Sequence, residues 1–261
     1  MTERTIAKAV YLTHPAGLEK VGGEYDRLYF GHEFCPWLLP GRRELERVRE
    51  NAAGRGLAFT LVTPILGEEG LAGVEKLLDV LAPEEGDEVA VNDMGVFEVL
   101  LKRKWKGETA AGRTLTRQRR GAGWRGGLPA GEGDSRYLRG SALDSPRFVE
   151  WLRDTYGVRR FEIDNLIQGV EVGELPADVR LSVHHPYLFL TATTLCPWTF
   201  DGTRWKRGEK CPSCRGEVLE LTPDEGGRKI LMAGGVQYLE NESPDIYEGP
   251  AVDRWVHQPA L

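Results

Sequence analysis

Sulfur is scarce in this chain, with 4 cysteines and 3 methionines among 261 residues. Other shortages narrow the field further. No apolar run is long enough to cross a bilayer, so no membrane span is expected. The opening Met1-Thr2-Glu3-Arg4 lacks the apolar core of a secretory signal, and a cytoplasmic location is the corresponding expectation. No glycine-rich phosphate loop follows the first strand, which weighs against a dinucleotide-binding sheet. There is no internal repeat of the kind that builds a solenoid. There is no proline- or serine-rich linker either, so residues 1–261 are expected to form a single domain. Neither a nucleophile–base arrangement nor a zinc-protease helix motif is present, so protease activity is not expected. The formal net charge of −6 argues against wholesale nucleic-acid binding but leaves room for a local basic patch.

Strand and helix patterns alternate along most of the chain. Val10–Leu12, Leu28–Phe30, Leu57–Val62, Glu88–Asp93, Arg160–Asp164 and Val179–Val183 are of strand length and rich in apolar or β-branched residues. Ile230–Ala233 reads as a short last strand. Between them, 41–55, 70–81, 96–101 and 148–155 carry apolar residues at helical spacing, with Ser145 or Asp144 placed to cap the last and Pro146 in its first turn. The segment 113–118 reads as a further strand that opens into a flexible, glycine- and arginine-rich loop over 119–140. Such alternation predicts an α/β fold with a parallel sheet, and a TIM-barrel-like domain, irregular in detail, is the preferred form.

In such a barrel, function gathers at the C-terminal ends of the strands. Reading those ends collects Glu33, Cys35, Asn92, Asp93, Arg117, Gln118, Asp164, Asn165, His184 and His185. Asp164 and His185 are the candidates for proton transfer. Because neighbouring strand residues point to opposite faces, only one of His184 and His185 is expected to face a site. Arg117, Arg119 and Arg120 open the basic segment and are the candidates for gripping a small carboxylate or a phosphate backbone such as RNA. A solvated tether is the plain alternative for the same loop.

The cysteines are grouped unevenly. Cys35 follows a strand early on, while Cys196, Cys211 and Cys214 crowd together late, the last two as a C-x2-C pair. Pro36, Pro197 and Pro212 directly follow three of them, which suits stiff ligand loops, since proline fixes φ and removes a donor. Four thiolates match one metal site. A single far ligand with uneven spacing suits an iron–sulfur cluster, whereas the Cys-Pro-Ser-Cys knuckle suits structural zinc.

Taken together, Cys35 after a strand, Asn92-Asp93-Met94-Gly95, Gly112-Arg113 leading to Gln118, and Cys196 with Cys211-x2-Cys214 resemble the peptidase U32 family. Within it, the likeness is to the UbiV-like iron–sulfur proteins of oxygen-independent ubiquinone synthesis. The resemblance implies a barrel-like fold and a [4Fe-4S] cluster held by Cys35, Cys196, Cys211 and Cys214. It also implies a part in oxygen-independent, prephenate-linked hydroxylation of a quinone precursor or RNA, and a second U32-type protein as heterodimer partner. Several relatives carry a His-Gly pair shortly before the second cysteine, where this chain has His185-Pro186. The competing expectation is a non-enzymatic barrel stapled by zinc that serves as a scaffold or partner subunit.

Overall fold

The structure is a computed structural model that describes residues 5–120, 132–193, 196–200, 202–204, 217–222 and 228–261. Among these residues, eight parallel strands close into a barrel. They are β1 (Ala7–Leu12), β2 (Arg27–Gly31), β3 (Ala58–Thr63), β4 (Glu88–Val91), β5 (Glu108–Ala111), β6 (Arg160–Asp164), β7 (Arg180–His185) and β12 (Val252–His257). Between β7 and β12 the chain leaves the barrel to build a second, antiparallel sheet. It is made of β8 (Tyr187–Ala192), β9 (Val218–Leu221), β10 (Ile230–Ala233) and β11 (Val236–Glu240), in the order β8-β11-β10-β9. The expected TIM-barrel-like α/β fold is therefore what the chain adopts, with an inserted sheet. No helix of the described residues is long and apolar enough to cross a membrane.

The helices α1 (Arg42–Gly54), α2 (Glu68–Leu77), α3 (Met94–Lys102) and α6 (Pro146–Tyr156) pack apolar stripes against the outside of the barrel. Leu45, Val48 and Ala52 of α1 and Val96, Phe97 and Leu100 of α3 meet the outward side chains of Phe30, Leu61, Val91 and Ile163. Asp93 caps α3 by accepting from the Gly95 N–H at 2.6 Å. Pro146 opens α6, and Gly157 ends it in the left-handed region at φ 71°.

The barrel interior departs from the usual aliphatic filling. Alternate residues point inward, and here they are Tyr11, Tyr29, Val62, Ala90, Ala110 and Val256 together with the buried polar residues Thr60, Glu88, Glu162, Ser182, His184 and Arg254. At the N-terminal end, Glu88 receives Arg254 Nη1 at 2.8 Å and the Thr60 hydroxyl at 3.0 Å. Arg160 lies 3.4 Å from the same carboxylate and forks onto Asp253 at 2.5 and 3.2 Å.

Four local expectations need correction. Residues 113–116 form a turn of helix, α4 (Arg113–Thr116), and not a strand. The strand before it, β5, has the sequence Glu-Thr-Ala-Ala, too short and too poor in β-branched residues to stand out. Within the expected loop 119–140, residues 132–139 form helix α5 (Glu132–Arg139), while 121–131 lie outside the described residues. Ile230–Ala233 is followed by two more strands, and the last, Val-Asp-Arg-Trp-Val-His, closes the barrel. Its inward arginine hides an apolar alternation that only the pairing with Glu88 makes tolerable.

Candidate functional site

The chain of charges at the C-terminal mouth starts from backbone geometry. Gly31 ends β2 with φ 131° and passes so close to β3 that a Cβ there would lie 2.2 Å from the Val62 carbonyl oxygen. Only glycine permits this approach, which turns the chain inward and buries Glu33. On the opposite wall, Asn92 donates to the Thr63 carbonyl at 3.1 Å and accepts from the Thr114 hydroxyl at 2.8 Å and the Thr114 N–H at 3.3 Å. It thereby clamps the first turn of α4. A Cβ at Gly112 would meet the Asn92 side-chain oxygen at 2.3 Å, so glycine is needed there as well. Thr116 completes the anchor by donating to the Glu162 carbonyl at 2.8 Å.

This clamp aims Arg113, which is fully buried, across the mouth. Its Nε donates to Glu33 Oε1 at 2.8 Å, and Nη2 makes a second bond to the other Glu33 oxygen. Nη1 donates to Asp164 Oδ1 at 2.6 Å and to the Tyr187 carbonyl at 3.1 Å. The second oxygen of Asp164 receives Arg120 through Nε at 3.0 Å and Nη2 at 2.6 Å. Gln118 fixes the backbone of Asp164 from both sides, accepting from its N–H at 2.6 Å and donating to its carbonyl at 3.1 Å. The result is a linear Glu33–Arg113–Asp164–Arg120 chain whose formal charges cancel. The Phe189 ring from β8 lies over it, 3.7 Å from the Arg120 guanidinium, and Phe34 and Tyr238 pack around it.

Burial alone would push the Asp164 carboxyl up, but the Arg113 and Arg120 guanidiniums outweigh it and hold that carboxyl below its ordinary range. Burial opposes the charge on Arg113 too, yet Glu33 and Asp164 keep it firmly protonated. For Arg120 the balance tips the other way, and burial lowers its value despite Asp164. Tyr238 and Tyr11 are held as neutral phenols, first by burial and then by the Glu33 charge. Such a water-excluded set of paired charges is held in one arrangement, because each buried charge depends on its neighbours for compensation.

The expected site residues fall into separate groups. Asp164, Gln118, Glu33 and Arg120 come together. Arg117 is exposed and takes a left-handed backbone, φ 48°. Arg119 turns away, stacking over Tyr137 at 3.8 Å and reaching Asp144 at 3.3 Å. Replacing Arg117 or Arg119 with alanine should each cost less than about 1 kcal/mol of stability, because both sit in water. Arg120→Ala should cost more than either in urea unfolding, since it strips one partner from a buried carboxylate; equal losses at the three positions would contradict this placement. His185 faces outward and stacks on His257 at 5.2 Å, whose Nδ1 lies 2.7 Å from the Tyr25 hydroxyl. Its neighbour His184 takes the inward place. Asn165 ties down a loop through the Asp245 carbonyl at 3.0 Å.

Cys35 and Cys196 occupy matching turns. Each begins a Cys-Pro-Trp segment, each caps a short 3-10 helix from an extended conformation, and each carbonyl accepts from the N–H three residues on, at 3.1 and 2.9 Å. Both side chains are half-buried. Cys211 and Cys214 lie outside the described residues. Among the described residues, no group of three or more histidine, cysteine, aspartate or glutamate side chains is arranged to hold a metal ion.

No protein-family model and no curated protein matches the chain. Among solved structures it is similar to the U32 peptidase Mk0906, at 14% identity and a TM-score of 0.47, with 100% of this chain and 95% of that one covered. It is also similar to the spore cortex-lytic enzyme SleL of Bacillus cereus, at 11% identity and a TM-score of 0.35, covering 98% of this chain and 71% of that one. At these values neither likeness carries an activity over to this chain.

Sequence reasoning left Arg113 without a role although it stands inside the Gly112-Arg113 motif. An arginine directly after a glycine-ended strand segment was the available signal. Phe189 and Tyr238 were out of reach, because the sheet that carries them was not foreseen.

Proposed function

We propose that the protein is an iron–sulfur protein of the U32 type that takes part in oxygen-independent hydroxylation, with a carboxylate-bearing donor such as prephenate held at the barrel mouth. The observation that carries this reading is one of placement. Glu33, the first member of the charge chain, stands two residues before Cys35 on the same loop, and Cys196 follows the strand that lays Phe189 over Arg120. Cys35 thus lies on the loop that carries the first charge, and Cys196 lies beyond the strand that covers the last, which supports a shared site.

The cysteine residues suit a thiolate-bound group in their setting: Cys35 and Cys196 are half-buried and stand at the heads of matched turns, each followed by a φ-fixing proline. Cys35, Cys196, Cys211 and Cys214 would hold a [4Fe-4S] cluster, which supplies one-electron chemistry when bound. The rest is work for the chain itself. The guanidinium groups of Arg113 and Arg120 already fork onto Glu33 and Asp164, and a donor carboxylate would enter by taking over part of those forks. Asp164 orients both, and Phe189, Phe34 and Tyr238 keep water from the charges. A quinone precursor is the favoured acceptor over RNA, since Arg119 and Arg120 are engaged with carboxylates and do not form an open basic track. The expected partner is a second U32-type protein.

Protein purified without oxygen should be brown and contain iron and acid-labile sulfide. Cys35→Ala should lose both as completely as Cys214→Ala, despite the distance between them in sequence. Stoichiometric zinc in place of iron, under adequate iron supply, would establish the zinc-stapled barrel instead. Full iron and sulfide in Cys35→Ala would break the ligand set.

A further inference from the structure

The centre of the barrel holds a pair of titratable groups that the mouth does not use. Glu162 stands two residues before Asp164 on β6 and so points inward one layer deeper. His184 is the neighbour of Asp164 in the β6–β7 register. His184 Nε2 lies 3.3 Å from Glu162 Oε2, and both side chains are almost wholly buried. Among the described residues, neither oxygen of Glu162 and neither ring nitrogen of His184 makes a hydrogen bond of good geometry, although the Tyr29 hydroxyl stands near enough to Glu162 to favour its charged form. Tyr11 and Tyr29 stand edge-on to the imidazole at 6.2 and 6.0 Å, so the walls offer aromatic edges.

The charges around the pair are largely committed to one another. Above it, Glu33 and Asp164 balance Arg113 and Arg120. Below it, Glu88 and Asp253 face Arg254, Arg160 and Arg27, so one positive charge there is left over. Among the described residues none of these arginines reaches Glu162, whose ion-pair contact is His184, so an ionised Glu162 would be a buried charge without a cationic contact while the imidazole is neutral. Placing a proton between Glu162 Oε2 and His184 Nε2 removes that charge and partners both atoms at once. The environment pushes both groups towards neutrality. Burial, and then the Glu88 charge, push Glu162 up to about 7 against the pull of Arg113 and Arg254. Burial, and then Arg113, push His184 down to about 3 against Glu33 and Asp164.

We propose that Glu162 and His184 hold one exchangeable proton at the centre of the barrel, and that an anion docking on Arg113 and Arg120 draws this proton from solvent onto Glu162. No bond other than O–H is made or broken. Glu162 thus acts as a positioning residue that gives up its own negative charge as an anionic ligand brings one in, so that their sum stays constant. The ligand half rests on the reading of the mouth as a carboxylate site; the proton itself does not.

The test begins without ligand. Infrared spectra of the wild-type protein should show a protonated carboxyl stretch at mildly acidic pH that titrates away around neutrality and is missing in Glu162→Gln. Glutamine keeps the volume and can still donate to His184. Arg120→Gln, which removes a positive charge from the mouth, should move the midpoint of that band to higher pH. Nitrogen NMR of wild-type His184, which needs no variant, should show a neutral imidazole at mildly acidic pH. Calorimetry with prephenate above the midpoint of that band, where Glu162 has lost its proton, in two buffers of different ionisation heat should then show proton uptake in the wild type and none in Glu162→Gln. Absence of a Glu162-dependent band, an imidazolium at His184, an unmoved midpoint in Arg120→Gln, or prephenate binding without proton uptake would each overturn the proposal. Failure of prephenate to bind at all would count against the reading of the mouth, while the band and its Arg120-dependent midpoint still decide the proton.

Discussion

Replacing Arg113 with methionine is expected to destabilise the protein by about 3–5 kcal/mol, the cost of removing one partner from a buried ion-paired set. Methionine fills much the same volume, so the loss reports charge and hydrogen bonding and not a cavity. This guanidinium donates four hydrogen bonds, three to the carboxylates of Glu33 and Asp164 and one to the Tyr187 carbonyl. Without it, both carboxylates stay buried, and only Arg120 remains for Asp164. The variant's loss should shrink at low pH. In the wild type the Asp164 carboxyl is depressed by Arg113 and Arg120, so its contribution is present above the ordinary carboxylate value and lost as pH falls through the depressed one. With Arg113 gone, protonation relieves the variant and penalises the wild type. Arg113→Lys should recover only part of the loss, because an ammonium group cannot make the fork that reaches Glu33 and Asp164 together. Urea unfolding of the three proteins at two pH values measures this. A loss below about 1 kcal/mol for methionine would mean that the chain of charges contributes nothing net.

The second large effect is a pH dependence. Glu162 moves from its ordinary value of 4.5 to about 7 in the folded protein. The folded state therefore binds a proton that the unfolded state has already released. The stability from this group is complete below its ordinary value and is lost as pH rises through about 7. At about 1.4 kcal/mol for each pH unit, the loss is about 3 kcal/mol. His184 has the opposite sign. Its value falls from 6.5 to about 3, so its contribution is present above 6.5 and lost as pH drops. Between the two ordinary values the slopes oppose each other: the folded protein keeps one proton on the carboxyl while the unfolded chain keeps one on the imidazole. Glu162→Gln should remove the alkaline loss and leave the acidic one. Unfolding curves across the range test this, and an alkaline slope that survives in Glu162→Gln would assign the effect to another group.

Much of the mouth was legible in the chain. Helix and strand alternate with clear periods over 41–101 and 146–185, and in a parallel barrel every strand ends at the same face. Glu33 and Asp164 are therefore gathered at one end by the sequence pattern, whereas Gln118 is placed there only through a segment that reads as a strand and is a helical turn, and Arg120 reads only as part of the basic loop. His184 and His185 mark the limit of that reasoning. A period of two says that they face opposite ways, but their local sequence does not say which faces in. Pairing with β6 on one side and β12 on the other decides it.

Local propensity and periodicity act over a few residues, and at that range this chain dictates its barrel, its polar strand ends and its cysteine turns. The remaining features depend on partners far away in sequence. Arg254 makes sense inside a strand only because Glu88, 166 residues earlier, neutralises it. Arg113 becomes the centre of the mouth only when Asn92 clamps its turn and Glu33, 80 residues away, meets its fork. Glu162 acquires an unusual proton affinity only when the barrel closes and removes the water that would solvate its charge. Desolvation and charge pairing are properties of the closed shape, so no window of sequence contains them.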